Sequence, residues 1–177
     1  MTGRVKLVTA VAVAASGAVA AGAALAGGGS ELREQLSGFE EVPAVSTDGN
    51  GRFQAKVHRG QDAIAYRLRY RELEGNVTQS HIHFAQRAVN GGISVFLCSN
   101  LGNGPMGTQP CPAAPATIEG TIGPEDVIGP SGQGIAAGEF DELLRAIDAG
   151  ATYVNVHSTL WPGGEIRAQL EARDGDR

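Results

Sequence analysis

The sequence has few aromatic residues, 5% of 177 positions, only two cysteines, and fewer basic groups than acidic ones, 14 against 19. The resulting net charge of -5 gives no overall electrostatic footprint for nucleic acid, which needs clustered Lys and Arg to displace counterions from phosphate, and nucleic acid is set aside as a partner. No Gly-x-Ser-x-Gly elbow occurs to activate a serine, and no glycine loop is placed to cradle a phosphate. Gly91-Gly92 and Gly163-Gly164 read as turns that tolerate positive φ. There is no internal repeat, and the length suits one domain. What the chain does have is 26 Gly, 8 Pro and 42% hydrophobic residues. That mixture means short elements, many turns and a real core, and it excludes collagen-like and wholly disordered states.

Residues 1–26 begin with Arg4 and Lys6 and continue as an almost unbroken apolar run from Leu7 to Ala26 without an acidic group. This is the layout of a signal peptide, with cleavage expected after Ala26 and Gly27-Gly28-Gly29-Ser30 as a flexible spacer. The alternative is an uncleaved membrane anchor, since about 20 apolar residues span a bilayer. Removing 26 of 177 residues leaves 151 and a charge of -7, because the segment holds two basic groups and no acid. No Cys follows the run to take a lipid, and no Arg pair precedes it. The expected location is therefore secreted, periplasmic or on the cell envelope, with a membrane involved only through an uncleaved segment. In an oxidising compartment Cys98 and Cys111 are expected to form a disulfide across the Pro/Gly-rich stretch between them.

Period-two alternation dominates the remainder, in short blocks bounded by Gly, Pro, Asn or Asp. Phe53, Ala55 and Val57 alternate with polar neighbours, as do Ile64, Tyr66, Leu68 and Tyr70. Further blocks cover about 77–84, 93–98, 117–122, 153–158 and 165–170, with a weaker one near 32–37, or about eight strands. One helix is expected over 140–149, with Phe140, Leu143, Leu144 and Ile147 on one face and Gly150 as its stop. The fold class is all-β, an antiparallel Greek-key β-sandwich with one short helix closing an end or edge. The domains are a signal segment (1–26), a spacer (27–30), a sandwich (31–170) and a charged tail (171–177).

His81-Ile82-His83 places two imidazoles on one side of a strand, roughly 6.6 Å apart along the chain, close enough to lean toward one ion. Ile82 and Phe84 would then fill the core, with both histidines on the outer face. In 153–170, Val154, Val156, Ile166, Ala168 and Leu170 read as inward, which puts Tyr153, Asn155, His157, Glu165, Arg167 and Gln169 outside. A hairpin about Trp161 sets His157 opposite Glu165 and Asn155 opposite Arg167. His81, His83 and His157 are therefore the candidate metal ligands, for copper or zinc, with Glu165 as an orienting partner or fourth ligand and Asn155 and Arg167 completing the polar face. The alternative is a solvated surface network in which Arg167 neutralises Glu165. His58 has ordinary surface neighbours. No catalytic residue is assigned, and Asn76-Val77-Thr78 matches a glycosylation acceptor.

The series 36–43 (LSGFEEVP), His81-Ile82-His83-Phe84, Asn90-Gly91-Gly92, 95–98 (VFLC), Asn155-Val156-His157 and 162–167 (PGGEIR) resembles the chordin-like (CHRD) domain over about 31–170. Ala44, Ser158 and Ala168 depart mildly from the pattern. The resemblance implies an extracellular immunoglobulin-like or superoxide-dismutase-like sandwich and no established reaction. The expected function is a non-enzymatic exported module that binds an extracellular or periplasmic protein or a surface ligand. Chordin's growth-factor ligands are not carried over. The alternative is a copper- or zinc-dependent enzyme with superoxide-dismutase-like redox chemistry.

Overall fold

The computed structural model describes residues 30–172; the expected signal segment and most of the tail lie outside them. Eight strands form: β1 (Glu31–Ser37), β2 (Asn50–His58), β3 (Ala63–Arg71), β4 (Val77–Phe84), β5 (Gly92–Ser99), β6 (Ala116–Ile122), β7 (Thr152–Ser158) and β8 (Ile166–Leu170). Every pairing is antiparallel. The strands were expected to divide into two sheets, but they form one sheet in the order β5-β4-β7-β8-β1-β2-β3-β6. The physical reason is the pair Ser37↔Arg167, which joins β1 to β8 and stitches two four-stranded halves together. At the other end β5 and β6 approach each other, so the sheet curls nearly into a barrel.

Leu32, Leu36, Phe53, Val57, Leu68, Ile82, Val95, Leu97, Val154, Val156, Ile166 and Leu170 meet in one core. The period-two reading therefore assigned the inward side chains of both halves correctly. The disulfide Cys98–Cys111 forms, with both residues buried in that core.

Among the described residues the single α-helix, α1, covers Phe140–Asp148 and buries Phe140, Leu143, Leu144, Ala146 and Ile147. Asp141 and Glu142 lie in its first turn, where the helix macrodipole favours negative charge. Gly150, at φ +63°, ends it: the Gly150 N–H donates to the Ile147 carbonyl and the Ala151 N–H to that of Ala146. An ion pair from Arg59 to Asp148 ties the last turn to the β2–β3 connection.

The two halves differ on their outer faces. In β3 the pattern alternates between buried and exposed, whereas every residue of β7 and β8 is buried. The expectation that Tyr153, Asn155, His157, Glu165, Arg167 and Gln169 stand in solvent is thus corrected, since all six are 6% exposed or less. Two loops roof this face. One precedes β2 and supplies Glu41, Val42 and Thr47; the other joins β4 to β5 and supplies Ala85, Val89, Asn90 and Gly91.

Candidate metal centre

Strand β4 carries His81 and His83 on the side opposite Ile82, as alternation requires. Pairing with β7 sets His81 beside Asn155, His83 beside Tyr153 and Gln79 beside His157. His157 therefore reaches the other two rings diagonally. Ring centroids are 5.0 Å apart for His81–His157, 5.3 Å for His81–His83 and 6.3 Å for His83–His157. One nitrogen from each ring falls within 4.8 Å of the others. Nitrogens held about 2.0–2.1 Å from a tetrahedral ion are about 3.3 Å apart, so ring rotations would close the remaining gap. The rings do not face water as expected: His81 is 1% exposed, His157 6% and His83 7%.

The hydrogen bonds assign the protons. His83 Nδ1 lies 2.9 Å from the Gly91 carbonyl and His157 Nδ1 lies 3.0 Å from that of Pro162. A carbonyl only accepts, so both Nδ1 atoms carry hydrogen and both Nε2 atoms present lone pairs. Carbonyl-anchored imidazoles of this kind are the usual support of metal-binding histidines. His81 Nδ1 lies 3.1 Å from His157 Nε2 and can donate to it, which leaves His81 Nε2 as a base as well. The Nε2 atoms of His81 and His83 are buried without a hydrogen-bond partner. Asn155 Oδ1, another acceptor, lies 3.0 Å from His157 Nε2. The lone pairs of His81 Nε2 and His83 Nε2 are left without a donor, and a bound cation is the kind of group that would satisfy them.

Electrostatics act in the same direction. Burial lowers the His81 ring to about 2, reinforced by the neighbouring His157 and His83. Burial also lowers His83 to about 4, partly offset by its bond to Gly91, and it lowers His157. All three rings are neutral at pH 7, the form that binds metal.

Glu165 is not the expected partner of His157. Its Oε1 accepts from Thr47 Oγ1 at 2.9 Å and from the Glu74 backbone N–H at 2.6 Å, so its side chain is directed to the loops before β2 and β4. Arg167 does not neutralise it either. Arg167 is 1% exposed, and its guanidinium donates to Asn90 Oδ1 (3.0 Å) and the Val89 carbonyl (2.8 Å) and lies 3.4 Å from the centre of the Tyr153 ring. That ring stacks parallel to His83 at 4.6 Å. Asn155 does pair with Arg167 across β7 and β8.

The carboxylate that sequence reasoning missed is Glu41. It is 6% exposed, and its Oε1 is buried without a partner. Burial raises it to about 7 against the opposing pull of Arg167 and hydrogen bonds from Val42 and Asn155. Gly164, at φ +129°, makes room for it, because a Cβ there would lie 2.3 Å from Glu41 Oε1. The available signal was Glu41 itself, an acidic residue beside Val42-Pro43 in a motif otherwise read only as a family mark.

No curated protein and no solved structure matches the chain. The family model of the CHRD domain matches residues 32–170, which spans all eight strands apart from the first residue of β1, together with the histidine cluster, and on that match the chain belongs to the CHRD domain family.

Proposed function

We propose that the chain is an exported, non-enzymatic CHRD module whose buried His81–His83–His157 cluster holds a copper or zinc ion as part of its architecture. The observation that carries this reading is the pair of buried, unpartnered Nε2 atoms on His81 and His83 beside the carbonyl-anchored His157. Bound there, the ion would supply the positive charge that those lone pairs lack. The chain's own residues do the rest: Gly91 and Pro162 orient two rings, and Asn155 offers an oxygen. Arg167 and Tyr153 close the side of His83.

A structural rather than catalytic role is favoured because the rings are buried, whereas redox chemistry at the ion would require a coordination position open to substrate. Export rests on the layout of residues 1–26 and agrees with the formed disulfide. The Greek-key, superoxide-dismutase-like form of the sandwich is supported by the chain's repeated crossing between the two half-sheets. Among the described residues no helix is long and apolar enough to cross a membrane.

The test is elemental analysis of the protein purified without a histidine tag, together with thermal unfolding on adding zinc or copper. One equivalent of ion and a raised melting temperature are expected, along with nitrogen hyperfine structure from bound copper. His157→Gln, which retains a hydrogen-bonding side chain, should abolish both effects while remaining folded. Metal-free protein whose melting temperature ignores both ions would refute the reading.

A further inference from the structure

The outer face of the β1-β2-β3-β6 half bears a concentration of positive charge that the overall composition hides. Arg33, Arg52, Lys56, Arg67, Arg69 and Arg71 are all exposed there, six of the ten Lys and Arg among the described residues. Strand register sets Arg52 directly opposite Arg69, flanked by Gln35 on β1 and Thr117 on β6. Like charges facing each other across a sheet destabilise it. Arg33 pairs with Glu31, Arg67 with Glu119 and Arg71 with Glu72, while Arg52, Arg69 and Lys56 have no ion pair among the described residues. A shallow groove of about 600 Å³ runs over Arg52, Arg69 and Arg71, with Asn50, Gln35 and Thr117 along its sides and no acidic residue lining it. It shares Gln35 and Arg52 with a depression of about 460 Å³, and that depression shares Arg33 and Gln54 with a third of about 330 Å³. The three adjoin as one trough that all six basic residues line, with Glu31, Glu34, Glu40 and Glu119 confined to the two smaller depressions and the groove over Arg52 and Arg69 free of acid.

We propose that this trough binds an anionic polysaccharide, with Arg52 and Arg69 as the fork that grips one of its sulfate or carboxylate groups. Guanidinium groups suit this because their planar donors meet oxyanions in pairs. Outward side chains repeat about every 6.6 Å along a strand and about 4.8 Å between strands, so charges spaced along an extended polymer meet successive rows. Of the residues lining the trough only Tyr66 and Tyr70 are aromatic, and both are buried. The trough thus lacks both the stacking platforms that hold nucleic-acid bases and an apolar wedge for lipid. The site is separate from the buried histidines and stands whether or not they bind metal.

The experiment measures binding of the full chain to heparin, as a sulfated probe, at low ionic strength. Uncharged dextran, oligothymidylate and phosphatidylglycerol vesicles serve as comparisons. Heparin should bind in a salt-sensitive manner, and the double variant Arg52→Gln/Arg69→Gln should lose about tenfold or more in affinity while unfolding at no lower temperature than the parent. Arg59→Gln/Arg145→Gln, which removes two arginines away from the trough, should bind as the parent does. The proposal is overturned if heparin does not bind, if the Arg52/Arg69 variant retains parental affinity, or if the control pair weakens binding equally. Tighter binding of the oligonucleotide or the vesicles would overturn it as well.

Discussion

Replacing Arg167 by Met tests how the roof over the histidine face is held. The substitution deletes two part-buried hydrogen bonds from the buried cation, to Asn90 Oδ1 and the Val89 carbonyl, and the contact with Tyr153. Each hydrogen bond made by the charged guanidinium contributes about 1.5–3 kcal/mol, and a desolvated cation–π contact contributes about 2 kcal/mol. Against this, Met is of similar length and no longer requires a buried charge to be desolvated, a relief of about 1–4 kcal/mol in comparable replacements. The losses outweigh the relief, and a net destabilisation of about 2–4 kcal/mol is expected at pH 7. At about 2–4 °C per kcal/mol for a domain of this size, the melting temperature should fall by roughly 4–16 °C.

Glu41 adds a pH signature to that substitution. Arg167 opposes the burial that raises this carboxyl to about 7. Without the guanidinium the carboxyl rises further and must be ionised at greater cost. The destabilisation should therefore grow above pH 7 by up to about 1.4 kcal/mol per pH unit, and Glu41→Gln in the same background should flatten the rise. Urea unfolding of parent, single and double variants between pH 6 and 9 would measure it. A loss below about 1 kcal/mol at pH 7, or one that does not change with pH, would refute this account of the roof.

Acid should destabilise the metal-free fold in a defined window. His81 and His83 are depressed below their ordinary 6.5, so the unfolded chain takes up protons that the folded chain refuses as pH falls through 6.5. Glu41, raised above 4.5, acts in the opposite direction between about 7 and 4.5 and offsets one of those protons. His157, also lowered by burial, adds to the loss, so a net loss of at least about 1.4 kcal/mol per pH unit from pH 6.5 to 4.5 is expected, and unfolding free energies that hold steady or increase over that range would contradict it. The disulfide closes a loop of sequence separation 13. Cys98→Ser/Cys111→Ser should therefore lower the unfolding free energy by about 3 kcal/mol. Non-reducing mass spectrometry should join the two peptides, and two free thiols in exported protein would count against the compartment.

Much of this architecture was legible because alternation reports side-chain parity directly. Ile82, Val154 and Val156 had to share a side, and so their polar neighbours His81, His83, Asn155 and His157 had to share the other. Parity does not say what lies beyond each side. The polar face of β7 and β8 is covered by loops whose backbone carbonyls at Val89, Gly91 and Ala85 accept from Arg167, His83 and Gln169. Those loops have no periodicity to announce where they go. Glu165 was misplaced for a related reason, because its backbone lies opposite β7 as expected while its carboxylate turns to Thr47 and Glu74. The excess of charge on β2 and β3 was hidden in the same way, since a total over the whole chain averages away a cationic side.

The lone pair Ser37↔Arg167 that closes β1 onto β8 also marks where the barrel is expected to breathe. A joint held by one rung should open before ladders of five to nine rungs do, parting the staves beside Arg167 while the hydrophobic interior stays shut. Isotope exchange of amide protons should accordingly begin where β1 meets β8, ahead of the longer ladders on either side.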